Sequence, residues 1–410
     1  MQSLLILGRQ PELGLAELES LYGSDKLTLL QKQAVLIDVD PCLLAFKRLG
    51  GSLKFAKLLT TLDSTNWEDI EKFLSESAPE HSKTMPAGKM TFGLSVYGFD
   101  INPQTISKSA LNIKRAIQKT GRSVRIVPNK SPELNTAQVI HNKLTNERSW
   151  ELLIVKSDAK TYIAQTVMVQ DIDAYSKRDQ ARPNRDSRVG MLPPKLAQII
   201  INLAVGELDE STLESICENL ETRKDIKKLN QTVLDPFCGS GVMLQEAFLM
   251  GYDVIGSDQD PRMVEYTKSN LKWIAEQYRT TIDTGNVNTG DARNKNWPKF
   301  NFVASETNLG KPITSIPSRS ELDNMVNDLN KLITAFLINV SKQTEPGTRI
   351  CLAIPAWQVS KNNFKTLPLI DQIADLGYNS IDFKQTKSRE LIYYRPDQLV
   401  GRQLLTLVRK

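Results

Sequence analysis

The chain has 410 residues, 40% hydrophobic and 24% charged, with a formal net charge of +5. These are ordinary values for a soluble globular protein and leave room for two or three domains. No run of 18 or more apolar residues occurs, which excludes a transmembrane helix, and the opening MQSLLILGRQPELG breaks its apolar run too early for a signal peptide. The four cysteines (Cys42, Cys217, Cys238, Cys351) form no CxxC pair, and His81 and His141 are the only histidines. That argues against a zinc site or any other metal, and for a reduced, cytoplasmic setting.

Residues 1–85 mix short strands (4–7 and 35–39) with a helical stretch at 13–21 and carry no catalytic constellation. The polar run 77–89, SAPEHSKTMPAGK, reads as a linker. A second part, 90–175, opens with a strand at 91–97. A basic amphipathic helix follows at 107–119, with Ala110, Ile113 and Ile117 on one face and Gly121 closing it. A strand at 123–127, a helix within 136–144 and a hairpin of strands 150–155 and 161–169 complete it. Residues 101–130 hold seven basic side chains and no acid, among them Lys114, Arg115, Lys119, Arg122 and Arg125. Such a block suggests a polyanionic partner, with a solvated helix face as the plain alternative.

A charged connector, 176–192, carries Arg182 and Arg185 and leads into a Pro-started helix. From 193 to 410, strand and helix alternate. Here TVLDPFCGSGVMLQ forms an apolar strand ending in Asp235, a turn with Gly239 and Gly241, and an apolar-faced helix. A second strand then ends in Asp258, giving a βαβ unit with a nucleoside-binding lip. A dinucleotide site would have a third glycine, but Leu244 stands there, and Asp235 would repel a phosphate. The pattern favours a ligand with a ribose and positive charge, and S-adenosylmethionine fits.

This unit resembles the cofactor motifs of class I S-adenosylmethionine-dependent methyltransferases, in the branch that acts on nucleic-acid amino groups. The 90–175 part, with LNIKRAIQKTGRSVRIV and NTAQVIHNKL, looks like a THUMP domain. The connector wording R-D-x-x-R-P-x-R-D and P-P-K-L-A, and the opening G-R-x-P-E-L-x-L-A-E-L-E-S, resemble THUMP-containing tRNA guanosine-N2 methyltransferases. The resemblance implies an α/β fold. A Rossmann-like, mostly parallel sheet with a terminal antiparallel strand (193–410) would follow an α+β N-terminal domain (1–85), a THUMP-like RNA-binding domain (90–175) and the connector (176–192). It implies that Asp235 and the backbone at Gly239 and Gly241 meet the methionine portion, Asp258 the ribose and Asp291 the adenine amino group, with Phe237 and Ala292 also in the cofactor site. Lys114, Arg115, Lys119, Arg122, Arg125, Arg182 and Arg185 would meet tRNA, and a small activating protein subunit is compatible with the family.

The acceptor segment departs from that family. Where D/N-P-P-Y/F is usual, the chain reads Glu306-Thr307-Asn308-Leu309-Gly310-Lys311-Pro312. Glu306 keeps an acceptor and a general base, and Asn308 adds a second acceptor. The stacking ring, worth about 1–3 kcal/mol per base, is missing; Tyr393, Tyr394 or Trp357 are the rings that could replace it. The expected activity is methylation of the exocyclic N2 of a tRNA guanosine. The alternatives are a weakly active or inactive tRNA-binding protein of the same fold, or an amino methyltransferase acting on ribosomal RNA or DNA.

Overall fold

The computed structural model describes residues 2–186, 191–222, 226, 228–311, 313, 315, 317–360 and 363–410. Gly190 of the connector and Pro312 of the acceptor segment lie outside the described residues. The chain divides into two compact units. One comprises Met1–Pro11, Asp25–Phe46 and Ser52–Ile172, and the other Glu12–Ser24, Lys47–Gly51 and Asp173–Lys410.

The first unit is built on β1 (Ser3–Leu7), β2 (Leu27–Gln31), β3 (Ala34–Ile37), β4 (Ser52–Leu62), β5 (Met90–Tyr97), β6 (Val124–Ile126), β7 (Ser149–Ser157) and β8 (Lys160–Val169). They form one sheet in the order β2-β3-β1-β4-β8-β7-β5-β6. The boundary expected between 85 and 90 therefore falls inside a single unit, because β4 pairs antiparallel with β8 along its length. Side chains alternate across β7. Trp150, Leu152 and Ile154 enter one cluster with residues of α2 (Trp67–Lys83) and α3 (Pro103–Gln118), while Leu153 and Val155 enter another with Leu4, Leu36 and Ala164. Helix α2 runs through most of the expected linker. Ile70, Leu74, Ala78 and Ser82 are buried at four-residue spacing, and this stripe carries the helix past Pro79. A short α4 (Thr136–His141) starts at Asn135 with a capping box.

From Glu12 onward, α1 (Pro11–Tyr22) belongs to the second unit, where Leu13 and Ala16 join its core. Helix α5 (Ile172–Gln180) occupies the start of the expected connector. Its Arg178 makes a buried pair with Glu246, Nε to Oε1 2.8 Å. The remaining elements are α6 (Pro194–Val205), α7 (Glu210–Thr222), β9 (Thr232–Asp235), α8 (Val242–Leu249), β10 (Asp253–Asp258), α9 (Pro261–Gln277), β11 (Val287–Thr289), β12 (Phe302–Glu306) and α10 (Arg319–Ser341). They are followed by β13 (Arg349–Ser360), β14 (Asn363–Lys365), β15 (Tyr378–Ser380), β16 (Ile392–Tyr393) and β17 (Val400–Arg409). The sheet order is β11-β10-β9-β12-β13-β17-β15. Neighbours from β11 to β13 are parallel, while the C-terminal β17 inserts antiparallel between β13 and β15. The short β14 and β16 extend this end of the sheet, and β16 pairs antiparallel with β17.

Candidate functional site

Strand order reverses at β9. Strands β10 and β11 lie on one side of it, and β12 and β13 on the other. Ligands of open α/β sheets bind outside the carboxyl ends of the strands at such a reversal. Here β9 ends in Asp235, β10 in Asp258 and β12 in Glu306, so three acids share the rim.

The glycine turn after β9 is shaped by its backbone. Gly239 has φ +51° and Gly241 φ +86°, and Gly241 is the N-cap of α8. A Cβ on Gly241 would lie 2.9 Å from Thr267, whereas one on Gly239 would meet nothing nearer than the Phe237 carbonyl at 4.0 Å. Packing demands a glycine at 241; Gly239 leaves open space above the turn. Helix α9 holds the turn from behind. Thr267 donates from Oγ1 to the Gly239 carbonyl (2.8 Å), and Asn270 donates from Nδ2 to the Ser240 carbonyl (2.9 Å). Asn270 also exchanges two 2.9 Å bonds with the Asn184 backbone, which fastens the connector to the same turn. The sequence signal for this pair was two polar residues inside the apolar stripe of α9.

Asp258 accepts from Gly239 N at 2.9 Å and from Asp260 N at 3.0 Å. Burial raises its pKa, and these backbone bonds oppose the rise. A carboxylate has room for further donors, such as ribose hydroxyls. Asp235 lies deeper, only 2% exposed. Its Oδ1 accepts from Ser305 Oγ at 2.5 Å and from Phe237 N at 3.2 Å. Burial, with smaller contributions from Asp258 and Glu306, pushes its pKa up to about 7. These acids and Glu306 do not gather into a metal-holding group among the described residues. Open space at Gly239 and acids at low dielectric suit a cationic nucleoside.

Other expected cofactor residues face elsewhere. The Phe237 ring packs edge-on against Phe336, centroids 5.2 Å apart, in the core. Ala292 is buried, with its carbonyl accepting from Asn339 Nδ2 at 3.1 Å. Asp291 is gripped by Arg293, whose Nη2 lies 2.6 Å from Oδ2, and this bonding holds its carboxyl below the usual range. Its loop still borders the site, because Gly290 N donates to the Asp258 carbonyl at 2.9 Å. Trp297, which the sequence did not single out, donates from Nε1 to Ser257 Oγ at 3.0 Å.

Glu306 forms a buried ion pair with Arg402 Nε of β17, a partner that sequence distance hid. Burial raises the Glu306 pKa and Arg402 opposes it. The Arg402 guanidinium lies over the Tyr393 ring, 6.0 Å from its centroid. Asn308 is exposed, and its Oδ1 accepts from Gly310 N at 2.8 Å, closing its own turn. It is therefore not paired with Glu306 as a second acceptor. Trp357 is 2% exposed, which removes it as a stacking ring, whereas Tyr393 and Tyr394 are half-buried.

The basic residues separate. Arg122 donates to the Ser82 and Pro86 carbonyls at the end of α2, while Arg125 is exposed with Nη2 2.9 Å from Asn142 Oδ1. Arg125 lines a cavity of about 440 Å³ with His141, Lys143 and Arg148, a grouping invisible in the linear order. Lys119 and Arg115 are exposed at the end of α3, and Lys114 is half-buried. Arg182 is buried, so it is no surface contact for RNA, while Arg185 is exposed.

The family profile of UPF0020, the RMKL-like methyltransferase domain, matches residues 222–365, which include β9 to β13 and the rim. A tRNA (guanine(10)-N2)-dimethyltransferase of Methanothermobacter thermautotrophicus is 30% identical over 222 residues, 52% of this chain and 54% of that protein. A second, from Pyrococcus abyssi, is 30% identical over 140 residues, 33% of this chain and 34% of that protein. The chain thus spans about half the length of the first of these relatives, and less of the other. Among solved structures, TrmN from Thermus thermophilus aligns over 100% of both chains with a TM-score of 0.52 at 15% identity. The fold is that of a class I methyltransferase sheet with preceding α+β structure.

Proposed function

We propose that the protein transfers a methyl group from S-adenosylmethionine to the exocyclic N2 of a guanosine in tRNA. The observation that carries this is the rim at the β9 reversal, where Asp258 closes on Gly239 and Glu306 stands at the end of β12. Asp258 and the glycine turn would hold the cofactor, with Asp235 contributing its field from beneath. The bound cofactor supplies an electrophilic methyl on a sulfonium that leaves as a neutral thioether. Glu306 orients the target amine through its carboxylate and takes the proton that the methylated nitrogen sheds, then passes it to water. The named activities of the two relatives support guanine N2 as the target. The THUMP-like wording and the basic cavity at Arg125 support RNA phosphate binding by the first unit, in the cytoplasm. No helix among the described residues is long and apolar enough to cross a membrane.

A second reading, a tRNA-binding protein without activity, is favoured by one observation: Arg402 already engages Glu306. Labelled S-adenosylmethionine, offered with unmodified total tRNA, ribosomal RNA and DNA, separates the readings. Label recovered from tRNA as N2-methylguanosine supports the enzyme. Label in ribosomal RNA or DNA alone moves the substrate. No label with tRNA binding intact supports the binder.

A further inference from the structure

On the rim, the structure holds a largely buried charge pair that the cofactor site does not use. Glu306 is 15% and Arg402 6% exposed at the side chain, and Nε engages Oε1. Among the described residues, Oε2 takes no protein hydrogen bond. The guanidinium is fixed from three sides. β17 carries it in register with Pro355 of β13 and Tyr393 of β16, the Tyr393 ring lies beneath it, and Glu306 meets its edge.

We propose that Arg402 is the positioning residue of the acceptor site, holding Glu306 by Oε1 so that Oε2 is left to take a hydrogen of the target amine. This rests on the methyl-transfer reading above. The usual acceptor motif fixes its acid by a rigid Pro-Pro turn; here Thr307-Asn308 follow the acid, and a side chain from β17 does that work. A carboxylate in a buried strand end tends to neutralise, and a neutral acid cannot accept the proton that the methylated nitrogen must lose. Arg402 opposes that neutralisation while supplying a directional, charge-assisted bond. The other groups facing Glu306 do not substitute for it. β9 brings Asp235, an acid that disfavours a second charge; β13 places Ala353 opposite Glu306; β16 carries the Tyr393 phenol, which is paired toward Arg395.

The test compares native protein with Arg402→Lys, Arg402→Met and Glu306→Gln. Two quantities are read: the pH profile of methyl transfer to tRNA, and the titration of Glu306 in cofactor-free protein by isotope-edited infrared difference against Glu306→Gln. In Arg402→Met the acid limb and the Glu306 titration should both move up by about one pH unit or more, the scale of losing a charged neighbour. kcat should fall further than KM rises, and Arg402→Lys should restore the limb but only part of kcat, because an ammonium lacks the planar fork. An unmoved limb and unmoved titration in Arg402→Met would overturn the proposal. So would a loss that Arg402→Lys fails to relieve in either readout. If native protein methylates no nucleic acid, the methyl-transfer reading fails on its own, and the infrared titration still decides whether Arg402 sets Glu306.

Discussion

The Lys54–Glu151 pair of the first unit and the Glu306–Arg402 pair of the second have different surroundings. In the first unit Lys54 pairs with Glu151, side chains 3% and 0% exposed. Glu151 Oε1 also accepts from Ser95 Oγ at 2.6 Å, its Oε2 accepts from Thr166 Oγ1 at 2.7 Å, and Lys54 Nζ also donates to the Leu134 carbonyl at 2.7 Å. Both carboxylate oxygens are occupied, and the pair ties together β4, β5, β7 and β8. The Glu306–Arg402 pair stands at the end of a strand, on the rim, with one carboxylate oxygen unengaged among the described residues. A saturated pair can only hold a fold together. A pair with an unused acceptor at a ligand rim can also do chemistry.

The largest expected effect breaks the saturated pair. Glu151→Ala leaves the Lys54 ammonium buried without a counter-charge and should cost about 3–5 kcal/mol in the unfolding of that unit, read by denaturant titration. If Arg402→Met costs as much stability as Glu151→Ala, the distinction between the two pairs fails. The next effect falls on the cofactor. Asp258→Ala removes the acceptor at the Gly239 turn and should weaken S-adenosylmethionine binding by roughly 100-fold or more, measured by calorimetry, since bonds to a charged group are worth about 1.5–3 kcal/mol each. Unchanged affinity would remove the rim from consideration as the cofactor site.

A smaller effect concerns pH. Asp235, with its pKa pushed up to about 7, gains its charge as pH rises through that value. Preference for the cationic S-adenosylmethionine over the neutral-sulfur S-adenosylhomocysteine should therefore grow between pH 6 and 8, and Asp235→Asn should flatten the trend. The linkage sign for stability is the reverse. The folded state holds this proton more tightly than the unfolded chain does, so its contribution is present at acid pH and lost as pH rises through about 7. Asp235→Asn should remove that loss as well. The smallest effect separates two arginines of the basic block. Arg125→Ala with Lys143→Ala should lower the salt slope of tRNA binding by roughly two phosphate contacts. Arg122→Ala should leave the slope alone and loosen the end of α2, where its guanidinium meets the Ser82 and Pro86 carbonyls. Equal slopes for both variants would undo the role given to the cavity.

Much of the rim was legible because its chemistry is local. Asp235, Gly239, Gly241 and Asp258 sit within one strand–turn–helix–strand, and their spacing carries them to one lip. Phe237 and Ala292 occupied the right places in the chain, yet packing turned them toward Phe336 and Asn339. Asp291 was bound by Arg293, two residues along, a local competition that spacing does not reveal. Pro79 read as a linker signal, but the buried stripe Ile70, Leu74, Ala78 and Ser82 outweighed one missing donor.

The sequence by itself determined the alternation of strand and helix, the glycine turn, and the acids at the ends of β9, β10 and β12. Those follow from periodicities of two and 3.6 residues and from glycine's access to positive φ, all properties of neighbouring residues. Only the tertiary structure decided that Arg402 reaches Glu306, that Thr267 and Asn270 brace the turn, that Arg125 gathers with Lys143 and Arg148, and that Lys54 is neutralised by Glu151. Each joins residues brought together by strand order or helix packing, and the energy of a buried charge depends on which partner arrives and how completely water is excluded.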